Sequence, residues 1–280
     1  PFVDDGKYPF LNVLEHFAKH KVHVPTVIAK APEEGLVLLE DLGDLTLERK
    51  FWENQNQEHV LPHYKLAIDE LIKIHYAASA DRSNCVAFGV AFDTDKLLWE
   101  MNYGKEHLLL KLCDLKMSSQ TLAGIDKLFL QICETLHAEP KFIAHRDYHS
   151  RNVMIKLGKM RVIDFQDARM GAIQYDLVSL LRDSYVDIDA ATENELINYY
   201  LAERAQYSRK NKLPDVSREQ FNHVYEIQTI QRCFKACGSF SSFYNMRQDT
   251  RYLKYIHNTL LRVAASLEKF PEYKLFFDVF

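Results

Sequence analysis

His145-Arg146-Asp147-Tyr148-His149-Ser150-Arg151-Asn152 is the stretch on which the reading of this chain turns. It satisfies the pattern H-R-D-x-x-x-x-N at every fixed position. Twelve residues past its Asn, Val162-Ile163-Asp164-Phe165 places a second Asp at the foot of what reads as a short hairpin. These spacings supply the parts that phosphoryl transfer requires. The Asp147 carboxylate takes or orients the proton of an attacking hydroxyl. Asn152 and Asp164 offer oxygen donors for an octahedral cation such as Mg²⁺, held against nucleotide phosphates. Each residue also has a bland role: a helix cap or solvated turn for Asp147, a loop hydrogen bond for Asn152, a turn position for Asp164. Their joint occurrence favours the chemistry.

Upstream of this stretch, residues 9–20 space apolar side chains as a helix does. Val22 to Lys30 alternates like a strand, Ala31-Pro32-Glu33-Glu34-Gly35 carries turn residues, and Leu36 to Glu40 is a short apolar strand. Beyond Gly43 the pattern becomes mainly helical. Thr46 is placed to cap a short helix, and a longer one is predicted over 57–78 with Pro62 in its first turn. Further helices are predicted near 94–112, 118–136, 174–184, 190–206, 217–240 and 249–269. The pair Asn152–Lys156 and Met160–Asp164, turned at 157–159, is the one clear β feature of this half. The fold class expected is therefore α+β. A small β-containing N-terminal piece (1–40) passes through a connector (41–44) into a large, mainly helical lobe (45–280). No internal repeat or low-complexity segment interrupts it.

Composition excludes several function classes. The 280 residues carry 35 basic and 39 acidic side chains, a net charge of −4, which gives no electrostatic footprint for nucleic acid. No window of about 18 apolar residues suggests a membrane span, and no basic-then-apolar leader opens the chain, so the cytoplasm is the expected compartment. Five cysteines without a C-x-x-C pair argue against a disulfide framework. Cys233 and Cys237 share a helix face, but two thiolates alone make a poor zinc site. They are expected to be free thiols.

The strings His145–Asn152, Val162-Ile163-Asp164-Phe165-Gln166-Asp167-Ala168 and Tyr175-Asp176-Leu177 to Tyr185 resemble the aminoglycoside phosphotransferase/choline kinase family. Its fold is protein-kinase-like and two-lobed. More narrowly, together with Gln231-Arg232, Lys235, Gly238, Phe240 and Arg251-Tyr252-Leu253, they are similar to the anomeric amino-sugar kinases of peptidoglycan recycling. These phosphorylate the C1 hydroxyl of N-acetylmuramate and N-acetylglucosamine. The resemblance covers roughly residues 9–270. It implies ATP and Mg²⁺ as cofactors, Asp147 as catalytic base, and Asn152 and Asp164 as metal ligands. It makes Leu39, Glu40, Asp41 and Leu42 a hinge whose backbone pairs with the adenine edge. Asp176 matches the buried Asp that accepts bonds from catalytic-loop amides, and His149 is a loop-fixing residue rather than a second base. Gln166 stands where protein kinases have Gly, as in small-molecule kinases. Asp167 is either near the metal or a cap.

The acceptor is less legible. Glu100, Arg182, Asp183 and Arg232 are candidates for binding a sugar, with Trp99, Tyr103 and Tyr185 as aromatic faces for pyranose C–H groups. Arg146 and Arg151 either order the loop through carboxylates or meet an acidic substrate group, with exposed salt bridging as the bland alternative and the favoured one. An aminoglycoside or choline-like acceptor, or a catalytically idle nucleotide-binding module, are the alternatives. A small-molecule substrate and a monomer are expected. No Gly-rich phosphate loop and no strand-borne Lys precede residue 9, and Glu15 lacks the Lys partner that a helix Glu would need. The N-terminal lobe is therefore expected to be truncated, with a nucleotide site that dispenses with those strands as the other explanation.

Overall fold

The computed structural model describes residues 1–54, 56–211 and 216–280. They form two compact units: residues 1–91, 141–181 and 188–215 in the first, and 92–140, 182–187 and 216–280 in the second. The expected N-terminal piece, the connector and the catalytic loop all fall in the first unit.

In that unit, helix α1 (Pro9–Lys19) opens with Pro at its first position, where a missing N–H is tolerated. It buries Leu11, Val13, Leu14 and Phe17. Strand β1 (Val27–Ala31) pairs antiparallel with β2 (Leu36–Leu39), joined through Pro32–Glu34 and a left-handed Gly35. The strand expected from Val22 begins five residues late. The upstream backbone serves a different strand, since the His23 carbonyl accepts from Val162 N at 2.7 Å.

Helix α2 (Leu47–Glu53) is capped as expected, with Thr46 Oγ1 accepting from Arg49 N. Helix α3 (Gln57–Ile72) runs on as a π-helical segment, Lys73–Ala78. Pro62 is not in its first turn. The helix starts at Gln57 under an Asn56 cap, and the amide Pro62 lacks would have bonded Glu58, whose exposed carbonyl region can turn to water.

The catalytic stretch lies between strand pairs. The hairpin of β4 (Val153–Lys156) and β5 (Lys159–Val162) matches expectation. A second pair, β3 (Phe142–Ala144) against β6 (Arg169–Gly171), was not anticipated, because three-residue strands carry too little alternation to read. That pair sets the loop's entrance, ending one residue before His145. Helix α6 (Gln174–Leu181) and helix α7 (Ala190–Asn211) complete the unit. α6 stops earlier than expected, and α7 runs longer.

The second unit is helical. Helix α4 (Thr94–Gly104), capped by Asp93, continues as a π-helical Lys105–Leu112. With α5 (Ser119–Ala138), α8 (Arg218–Arg247), α9 (Ile256–Leu267) and α10 (Lys274–Phe277) it surrounds Phe129, Phe234 and Phe276. The helix expected from 249 starts at Ile256. Gln248 (φ 54°) closes α8 in the left-handed region, and the Asp249 carboxylate then accepts from Arg251 N, favouring a turn. Gly238 lets α8 approach α4 closely, since a β-carbon there would lie 2.5 Å from Gly104 Cα.

Candidate active site

Every side chain of the catalytic stretch that was singled out lies in the first unit, where the loop is pinned from several directions. Asp176, at the start of α6, is fully buried. Its Oδ2 accepts from His145 N at 2.6 Å and its Oδ1 from Arg146 N at 2.9 Å. The ring of His75, in the π-helical segment, donates from Nε2 to Asp176 Oδ2 at 3.2 Å and accepts at Nδ1 from Tyr200 OH at 2.8 Å. One buried carboxylate thus satisfies three donors from two elements. Burial pushes the Tyr200 phenol well above its ordinary pKa, keeping it a donor.

His145 pins the loop from within. Its Nε2–H donates to Ile163 O (2.9 Å), which leaves Nδ1 to accept from Asp147 N (3.3 Å). Tyr148 is buried and donates to Ala67 O of α3 at 2.8 Å. Arg151 makes a two-pronged pair with Glu48 of α2, both contacts 2.8 Å, and Glu48 N donates to Ser150 O. Arg146 reaches Asp167 Oδ2 at 2.5 Å. Both arginines therefore order the loop through carboxylates. The His149 contribution visible here is through its backbone: its N–H donates to Asp147 O and its carbonyl accepts from Asn152 N.

Asn152 links the two candidate aspartates. Its Nδ2 donates to Asp147 O at 2.9 Å and to Asp164 Oδ2 at 3.2 Å, and its backbone carbonyl accepts from Ile163 N. Gln166 Nε2 donates to Asp164 Oδ1 at 2.8 Å. Arg146 (φ 85°) and Asp164 (φ 63°) both sit in the left-handed region. Such strain persists only where surrounding contacts over-determine it, and the contacts just described do so. The Asp147 carboxylate stays partly exposed, with Arg146 Nε 3.9 Å away. With Nδ2 spent on two acceptors, Oδ1 is the Asn152 amide atom left for a cation. Together with the Asp164 carboxylate it makes an oxygen set of the kind a hard divalent cation takes.

Around the connector, Glu40 N donates to Thr26 O at 2.8 Å and Lys156 Nζ donates to Asp41 O at 2.6 Å. Lys156 also bonds Glu40 Oε1, and that hydrogen bond foremost lowers the Glu40 carboxyl below its usual range.

The acceptor candidates Glu100, Arg182, Asp183 and Arg232 lie in the second unit. Glu100 is fully buried; Oε2 accepts from Gln231 Nε2 at 3.0 Å, and Gln231 in turn accepts from Gln228. Arg182 is engaged by Glu226 through two contacts of 2.7 and 3.0 Å, and by Thr229 and Ser266. Asp183 accepts from Tyr185 N and is buried, as is Arg232. Trp99 is exposed and stacks on Tyr103. Sequence reasoning passed over His75 and Glu48. The only available signal was polar residues at helical spacing, which is commonplace on a helix.

Residues 4–209 match the model of the phosphotransferase enzyme family. An N-acetylmuramate/N-acetylglucosamine kinase of Neisseria meningitidis is 29% identical over 283 residues, covering 97% of this chain and 79% of that one. The kinase of the same name from Pseudomonas aeruginosa is 27% identical, covering 94% of this chain and 74% of that one. A choline/ethanolamine kinase family structure from Mesorhizobium loti superimposes with a TM-score of 0.63 at 16% identity, over 97% of this chain and 81% of that one. The fold is thus the α+β, protein-kinase-like one, and family membership carries nucleotide and divalent-metal use in general. No helix among the described residues is long and apolar enough to cross a membrane. The chain belongs to the phosphotransferase enzyme family.

Proposed function

We propose that this chain transfers the terminal phosphoryl group of Mg²⁺-ATP to the anomeric hydroxyl of an N-acetylated amino sugar, N-acetylmuramate or N-acetylglucosamine. The observation that carries the chemistry is the Asn152 amide, hydrogen-bonded at once to the Asp147 backbone and the Asp164 carboxylate. The sugar assignment rests on the names of the relatives, which align over most of this chain.

In this reading Asp147 receives the acceptor's proton as the phosphoryl bond forms. A sugar hydroxyl is too weak an acid to ionise beforehand, so the base is worth roughly 10²–10⁴-fold in rate. Asn152 Oδ1 and Asp164 would hold Mg²⁺, which when bound neutralises charge on the phosphate oxygens. His145, Asp176 and Arg151 keep Asp147 aimed, so that positioning is settled before substrate arrives. Residues 1–40 belong to the N-terminal lobe, 41–44 form the hinge and 45–280 the helical lobe. Within Leu39–Leu42, Glu40 N and Asp41 O are already engaged. We therefore assign adenine recognition to the Glu40 carbonyl and the Leu42 amide. Glu100, Arg182, Asp183 and Arg232 remain acceptor candidates, with His149 supporting the loop. A cytoplasmic monomer suits an enzyme that draws on ATP and a soluble sugar.

The test is ADP release with each amino sugar, alongside choline and an aminoglycoside, and phosphorus NMR of the product. An anomeric sugar phosphate is expected, with turnover falling 10²–10⁴-fold in Asp147→Asn at little change in KM. Turnover with choline or the aminoglycoside alone would reassign the acceptor. Undiminished turnover in Asp147→Asn would remove the base.

A further inference from the structure

We propose that His16, His20 and Asp81 form a binding site for a divalent transition-metal ion of the zinc class, built from residues the catalytic loop does not use. Among the described residues this is the one group of three His, Cys, Asp or Glu side chains whose ligand atoms lie within 4.8 Å of one another. The two histidines are four apart on α1 and so share a face, with ring centroids 5.0 Å apart. Asp81 arrives from the chain after the π-helical segment and meets His20 Nε2 at 2.9 Å.

Ligation releases a proton, since the His20 Nε2–H now donated to Asp81 Oδ2 must leave before that nitrogen can bind a metal. His16 is buried, and its Nε2–H donates to Ala78 O at 2.9 Å. That bond fixes the tautomer and leaves the Nδ1 lone pair as the ligand atom. A metal-bound histidine normally has such a carbonyl partner on its other nitrogen. Asp81 Oδ1 accepts from Ser83 N at 3.1 Å, and its Oδ2 is the oxygen that meets His20. Two imidazoles and one carboxylate select Zn²⁺, Co²⁺ or Ni²⁺ over Mg²⁺.

Lys19 Nζ shares Asp81 Oδ2 at 2.6 Å. Its side chain is 60% exposed and is displaced into water when a metal takes that oxygen. Occupancy clamps α1 to the segment at Asp81. α1 bears Phe10 and Phe17, whose rings pack on Phe165 at 5.3 and 5.9 Å, and Phe165 is the residue next to Asp164. The site is thereby linked by packing to the metal-binding end of the catalytic stretch.

The experiment titrates Zn²⁺ calorimetrically into the chelator-stripped full chain in excess Mg²⁺, with Co²⁺ absorption and histidine ring-nitrogen NMR as direct readouts. Saturable single-site binding is expected, with His16 and His20 nitrogens shifting and a d–d band of a four-coordinate ion appearing. His20→Gln and Asp81→Asn should each weaken binding by more than the roughly 10–100-fold that loss of an outer partner costs. Asp164→Asn should leave binding intact. Absence of saturable binding, unshifted His16 and His20 nitrogens, or undiminished affinity in folded His20→Gln overturns the proposal. So does loss of the site in Asp164→Asn. The NMR readout on the unmodified chain decides the matter even where a variant fails to fold.

Discussion

Asp176→Asn replaces one oxygen by a donor and leaves the shape almost unchanged, which makes it a clean test of how the catalytic loop is held. The wild-type carboxylate accepts from His145 N, Arg146 N and the His75 ring at 2.6, 2.9 and 3.2 Å, in a fully buried setting. Whichever way the amide rotates, at least one backbone N–H faces an NH₂ group. A stranded buried donor costs roughly 1–3 kcal/mol, and hydrogen bonds that lose a charged partner fall from about 1.5–3 towards about 1 kcal/mol each. The loss sums to roughly 2–7 kcal/mol. It falls on a loop that already holds Arg146 at φ 85°, so relief of strain adds to the tendency to open.

Hydrogen exchange at the His145 and Arg146 amides reads this directly. A loss of about 2 kcal/mol is close to a 30-fold gain in opening, since about 1.4 kcal/mol is tenfold. Turnover should fall with little change in the KM for ATP, because Asp147 is misplaced rather than removed. Wild-type protection at both amides, with turnover unchanged, would refute the reasoning.

Three further outcomes follow from other parts of the molecule. Burial alone would raise the Glu226 carboxyl, but hydrogen bonds from Arg182, Lys269 and Ser266 and the Arg182 charge hold it at about 2. Its folded value is depressed, so its stabilisation, roughly 3 kcal/mol, is present above the unfolded value and is lost as pH falls from about 4.5 towards about 2. Acid unfolding of Glu226→Gln should lack that component. Gly238→Ala drives a methyl group into the Gly104 backbone; a loss of about 1–3 kcal/mol in urea unfolding is expected, and wild-type stability would show that α4 and α8 yield freely. Leu157 is 93% exposed at φ 50°, beside Gly158 at φ 70°, in the turn between β4 and β5. Leu157→Asn should stabilise by roughly 0.5–1 kcal/mol, because Asn tolerates the left-handed region; a lower Tm would contradict this.

Much of the architecture was legible because it is local. Helical periodicity, the Thr46 cap and the β4–β5 hairpin depend on neighbours within a few residues. Elements that failed to read were those settled elsewhere in the chain. The segment from Val22 took β5 as its partner instead of extending β1. The β3–β6 pair joins residues 25 to 29 apart that carry no pattern of their own. Pro62 is an exception of another kind, since the Asn56 cap is a local signal and a start at Gln57 already puts position 62 past the first turn.

Sequence by itself determined the candidate chemical parts: an Asp, an Asn and a second Asp at spacings that one loop and one hairpin must bring close together. Such short-range order survives any arrangement of the rest, because it is written in covalent distance. Tertiary structure alone decided what holds those parts still. His75 meets Asp176 across 101 residues and Glu48 meets Arg151 across 103. Contacts of that span depend on where whole helices come to rest, and helices are placed by the burial of apolar faces, which says nothing about the polar partners that will meet.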